Sequence, residues 1–142
     1  MPRNVLITGA CGGIGRALCA AFIQAGDRVF AQDKNADQLQ ILVAELGAER
    51  CHPVAADITD AQNLKRAVTA ATQVWGEIEV VVANAGAAQA LTLQSTTETS
   101  WKQDIDLNLN GTFNTIEAVR PAMQQAGRGN IVIIGSVNGI SS

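Results

Sequence analysis

The 142 residues contain no tyrosine, one histidine and three prolines, and aromatic residues make up 4% of the chain. Without tyrosine there is no phenol to carry a proton. With His52 as the single imidazole, a histidine-based zinc site is excluded. Cys11, Cys19 and Cys51 are odd in number and lack metal-ligand spacing, so we expect no metal site and a reduced, cytoplasmic compartment. No apolar run approaches the roughly 20 residues that span a bilayer. Met1-Pro2-Arg3-Asn4 leads straight into a strand-like segment, which speaks against a secretory leader. Ten Lys and Arg are scattered among thirteen Asp and Glu, for a net charge of −3. No basic run draws the chain to nucleic acid or to an anionic membrane.

What the chain does have is an even alternation of strand-like and helix-like segments. Hydrophobic residues at 47% and charged residues at 16% fit one globular domain over residues 1–142. A chain of this length buries about 70% of its unfolded surface. Apolar runs occur at Val5–Thr8, Arg28–Gln32, Val54–Asp57, Ile78–Ala83 and Ile131–Ile134. Helical spacing separates them. Ile14, Ala17, Leu18, Ala21 and Phe22 share a face stopped by Gly26, and Leu39, Leu42, Val43 and Leu46 repeat it between Asn35 as cap and Gly47 as stop. A third stripe from Leu64 to Trp75 opens on a Thr59-x-x-Gln62 capping box and closes at Gly76. A longer fourth helix, about 98 to 126, places Trp101, Ile105, Asn108, Thr112, Ile116, Val119 and Met123 on one face, with a kink expected at Pro121.

Near-continuous apolar strands joined by helices predict a parallel sheet covered on both faces. Right-handed crossovers favour a doubly wound, Rossmann-type α/β sheet in the order 3-2-1-4-5. Pro53 suits a third strand at the edge, where a missing N–H is tolerated. Ile131–Ile134 is too apolar for an open edge, so the sheet reads as truncated after its fifth strand.

Gly9-Ala10-Cys11-Gly12-Gly13-Ile14-Gly15 links the first strand to the first helix. Loop N–H groups and the positive helix end converge there into an anion cradle. Asp33 ends the second strand, where a carboxylate accepts hydrogen bonds from both ribose hydroxyls of an adenosine and repels a 2′-phosphate. A carboxylate there also suits the N-terminus of the next helix. Gly9, Asp33, Asp57, Asn84 and Ser136 each follow or end a different strand, on the rim where open parallel sheets bind ligands.

Several short motifs stand in a fixed order: Thr8-Gly9-x-x-x-Gly13-x-Gly15, Asp57-Ile58, Asn84-Ala85-Gly86, Asn108-Leu109-Asn110-Gly111, and Ser136. Together, from residue 4 to residue 139, they resemble the short-chain dehydrogenase/reductase family. That resemblance implies hydride transfer between a nicotinamide cofactor and a small alcohol or ketone. It assigns the cofactor to Gly9, Gly13, Ile14, Gly15, Asp33, Asp57, Ile58, Asn84, Ala85 and Gly86. Asp57 would contact the adenine, with Ile58 packed on the ring. Ser136 would hydrogen-bond the substrate oxygen, and Asn108 would hold a water in a proton relay. Asp33, and Gly12 where NADP-preferring relatives often carry a basic residue, favour NAD over NADP, whereas Lys34 acts against that preference. Plainer readings stay open: a turn or cap for Asp57, Asn84 and Ser136, a helix bend for Asn108, a spacer for Cys11. The family's Tyr-x-x-x-Lys falls beyond Ser142 at its usual spacing. The chain therefore reads as the cofactor-binding portion of such an enzyme, inactive alone, whose parent pairs into homodimers or homotetramers through the fourth helix and the next. A non-catalytic NAD-binding or sensor module, or an interaction fragment, is the alternative.

Overall fold

In the computed structural model, which describes residues 1–88 and 92–136, five strands form one parallel sheet. They are β1 (Asn4–Thr8), β2 (Arg28–Asp33), β3 (Cys51–Ala55), β4 (Val80–Ala83) and β5 (Asn130–Ile133). The order is β3-β2-β1-β4-β5, as the alternation of elements predicts. Pro53 lies in β3, on the sheet edge.

Residue parity divides the core. Val5, Ile7, Val29 and Ala31 face α1 (Gly13–Gln24) and α2 (Ala36–Leu46), against Cys19, Leu39 and Leu42. Leu6, Phe30 and Val81 face α3 (Ala61–Trp75) and α5 (Gly111–Ala126), against Leu64, Val68, Val119 and Met123. β1 is buried on both faces, as a central parallel strand must be. Fully burying a side chain of leucine size stabilises the fold by about 1.5–3 kcal/mol.

Two local expectations change here. The third strand spans Cys51–Ala55 rather than Val54–Asp57: its pairing with β2 runs from Val29 opposite Cys51 to Asp33 opposite Ala55, and the chain turns where the Asp57 carbonyl accepts the Asp60 N–H. α3 is capped by Asp60, whose carboxylate accepts from Asn63 N–H, and not by Thr59. Thr59 lies one residue before the cap position, and its hydroxyl donates to Asp57 Oδ1 at 2.8 Å. The Asn35 cap and the Gly47 stop of α2 form as read.

The long helix is interrupted. α4 (Glu98–Ile105) passes through a π turn at Asp106–Asn110 into α5, which continues through Pro121 to Ala126. The π turn separates α4 from α5, and Pro121 lies inside α5. One extra residue in a turn rotates the following helix by about 100° relative to the preceding one. Residues that align on a straight helix then part company. Val119 and Met123 are buried, whereas Trp101 is 60% exposed and Ile105 38%. β5 is exposed along its length.

Leu6→Ala, in the middle of β1, is expected to cost about 2–5 kcal/mol of unfolding free energy. Denaturant titration followed by circular dichroism measures it.

Candidate functional site

The carboxyl ends of β1 to β4 open on a cleft of about 510 Å³. Gly9, Asp33, Asp57 and Asn84, one from each strand exit, all line it. Ile58, Ala85 and Gly86 line it as well. Of the other residues read from the sequence, Gly13, Ile14, Gly15, Asn108 and Ser136 lie outside the lining. Ile14 is exposed, Gly15 is buried at the start of α1, and Ser136 follows β5 on the same rim of the sheet.

The glycines of the first loop have two different reasons to be there. Gly9 adopts φ +64, and a Cβ on it would stand 2.9 Å from the Ala85 Cα. A Cβ on Gly15 would stand 2.0 Å from the Gly9 carbonyl oxygen. Gly9 thus serves close packing against the loop after β4, and Gly15 the packing of its own loop. Gly13 serves neither: a Cβ there meets nothing within 4 Å, and one on Gly12 meets only the Gly9 oxygen at 3.5 Å. No side chain caps α1, and no acid stands in its first turn. Open space above bare glycine backbone, beside uncapped N–H groups, fits a close-approaching diphosphate.

Asp33 is held against the same loop. Its Oδ2 accepts the Cys11 N–H at 3.1 Å, and its Oδ1 accepts the Asn35 N–H at 3.1 Å. Burial, and then the negative charge of Asp33, push the Cys11 thiol up to about 11. The helix-end effect that would lower a thiol at this position is outweighed. At the third exit, Asp57 Oδ1 accepts the Thr59 N–H at 2.9 Å, and this bond holds the carboxyl below the usual carboxylate range.

Thr8 and Asn84 join the first and fourth exits. The Thr8 hydroxyl oxygen accepts the N–H groups of Asn84 and Ala85, each at 3.0 Å. Asn84 Nδ2 donates back to the Thr8 carbonyl at 3.1 Å. Asn108, expected on an apolar stripe, is instead exposed, with its amide bonded to backbone. Its Oδ1 accepts the Ala87 N–H at 3.1 Å, and its Nδ2 donates to the carbonyls of Ala87 at 2.6 Å and Asp104 at 2.9 Å. Gly86 makes room for it, since a Cβ there would lie 2.6 Å from Asn108 Oδ1.

Sequence reasoning missed Gln103, Asp106 and Leu107, which reach the cleft from α4 and the π turn. No periodicity marks them. Gln32 did carry a signal, an amide inside an apolar strand; it is buried in the cleft wall, with Nε2 donating to the Ala56 carbonyl at 2.6 Å.

With this geometry in place, comparison with known proteins is decisive for the class. Residues 3–142 match the family model of the short chain dehydrogenases, and the chain belongs to that family. Among curated relatives, it is 39% identical over 138 residues to an uncharacterized oxidoreductase of Schizosaccharomyces pombe, covering 96% of this chain and 51% of that one. It is 36% identical over 136 residues to the D-threitol dehydrogenase of Mycolicibacterium smegmatis, covering 94% and 52%. The chain thus spans about half the length of the curated relatives it matches. Among solved structures, a short chain dehydrogenase/reductase family oxidoreductase from Burkholderia thailandensis superposes with a TM-score of 0.91 at 45% identity, over 100% of this chain and 55% of that one. A 3-oxoacyl-[acyl-carrier protein] reductase from Brucella melitensis with bound NAD gives 0.90 at 37%, over 98% and 55%. ElxO with NADP bound gives 0.92 at 27%, over 100% and 58%. Among the described residues, no helix is long and apolar enough to cross a membrane.

Thr8→Val removes the acceptor shared by two loop N–H groups while keeping side-chain shape. We expect a loss of about 1–3 kcal/mol in stability, read by thermal and denaturant unfolding. Cys11, being a raised thiol, is expected to resist iodoacetamide at pH 7.5, and peptide mass mapping checks it.

Proposed function

We propose that this chain is the dinucleotide-binding part of an NAD-dependent oxidoreductase acting on a small alcohol or ketone. The observation that carries the reading is the Asp33 carboxylate, fixed by two backbone N–H groups beside the open glycine loop. The loop from Gly9 to Gly15 holds the diphosphate, and Asp33 accepts from the adenosine ribose hydroxyls. Asp57 accepts from the adenine amino group, Ile58 packs against the base, and Asn84, Ala85 and Gly86 form the floor beyond. A bound nicotinamide supplies hydride exchange with the substrate carbon. Ser136 hydrogen-bonds the substrate oxygen, and Asn108 braces the loop after β4 in the proton-relay position.

With no tyrosine in its 142 residues, the chain lacks the phenol that the family's chemistry uses, so we expect it to bind cofactor and turn over no alcohol by itself. The three cysteines are unpaired, which suits a reducing, cytoplasmic setting. Trp101, Ile105, Leu109 and Phe113, all exposed and four residues apart, form the surface on which a second copy docks in the parent homo-oligomer.

Cofactor choice tests the proposal. Juxtaposed like charges in a closed site cost several kcal/mol. NADH is therefore expected to bind at least about tenfold more tightly than NADPH in a fluorescence titration. Asp33→Ala should bring the two affinities close together. Equal affinities in the parent protein would overturn the NAD assignment.

A further inference from the structure

We infer that Asn114 is a positioning residue for the Asp57 carboxylate, acting through the peptide between Ile58 and Thr59. Asn114 lies in the first turn of α5, outside the cleft lining, and its Nδ2 donates to the Ile58 carbonyl at 2.9 Å. The opposite end of that planar peptide, the Thr59 N–H, points at Asp57 Oδ1 at 2.9 Å. A single rigid unit is thus gripped by α5 at its oxygen and delivers its hydrogen to the carboxylate. Bonding the oxygen also polarises the peptide and strengthens the N–H as a donor.

The same helix face fixes the side chain of the residue in between. A Cβ on Gly111 would stand 2.5 Å from Ile58 Cδ1, so the glycine backbone is in direct contact with Ile58. Ile58 is 4% exposed and cannot swing away. Backbone and side chain of Ile58 are therefore both referred to α5, and the direction of the Asp57 carboxylate follows. Without the Asn114 amide, the peptide plane is free to tilt. Thr59 Oγ, a rotatable hydroxyl at 2.8 Å, then becomes the remaining anchor of Oδ1.

The inference rests on the reading that Asp57 accepts from the adenine amino group, so its test compares two ligands differing in that group alone. NADH and the reduced nicotinamide purine dinucleotide, which carries hydrogen in place of the adenine amino group, are titrated by fluorescence against the parent protein, Asn114→Ala and Asn114→Ser, with thermal midpoints recorded. The parent is expected to bind NADH about tenfold more tightly than the analogue. Each variant should lose about three- to tenfold in NADH affinity, while analogue affinity changes by less than about twofold. If the parent discriminates and both folded variants keep its ratio, the role of Asn114 is refuted while the site stands. Equal weakening of both ligands marks a structural role and refutes it too. A parent that binds both ligands alike defeats the Asp57 assignment itself, and this inference with it.

Discussion

A buried hydroxyl ties the cleft together. Thr8 closes the central strand, and its oxygen gathers two N–H groups from the chain leaving β4. It is 1% exposed, so these bonds form where water cannot substitute for them. The next residue, Gly9, packs its Cα against the Ala85 backbone at a distance that admits no side chain. The loop after β1 and the loop after β4 therefore behave as one body. Asp33 is tied to that body through Cys11 N–H, and Ala87 is tied to the π turn through Asn108. The cleft walls inherit their separation from this chain of short-range bonds, rather than from side chains reaching across the opening.

Much of this was legible in the residues alone. Strand order follows from alternation and apolar density, which are one-dimensional signals, and Pro53 names the edge strand. The meeting of the glycine loop and Asp33 was legible because both stand at the carboxyl ends of neighbouring parallel strands, and Gly9 and Asp33 line one cleft. Errors occurred where two neighbours compete for one role. Thr59 and Asp60 both suit an N-cap, and the helix start at Ala61, with the Asn63 N–H on the Asp60 carboxylate, decides between them.

A bend at Asn108 stood among the readings, but the π turn that makes it was not legible, for a physical reason. Its clearest ties run from Asn108 to Ala87, across 21 residues of chain, and no local pattern announces such a partner. Once the turn forms, the phase of everything after it changes. Gly111 and Thr115 become buried, and Trp101 and Ile105 leave the face shared by Val119 and Met123. Asn114 shows the same effect at the cleft. It carried no sequence signal, yet the shifted phase brings its amide to the carbonyl of Ile58.

The two tryptophans end up in contrasting surroundings. Trp75 packs its ring 5.1 Å from Phe30 and 5.7 Å from His52, with the Arg28 guanidinium 5.8 Å from its centre. Trp101 stands on α4, two residues before Gln103 of the cleft wall, with most of its surface in water. The chain thus carries two native optical probes that respond to different events. Emission from Trp75 reports the integrity of the layer between α3 and the sheet. Trp101, open to a dissolved quencher, reports whether anything comes to cover the outer surface of α4.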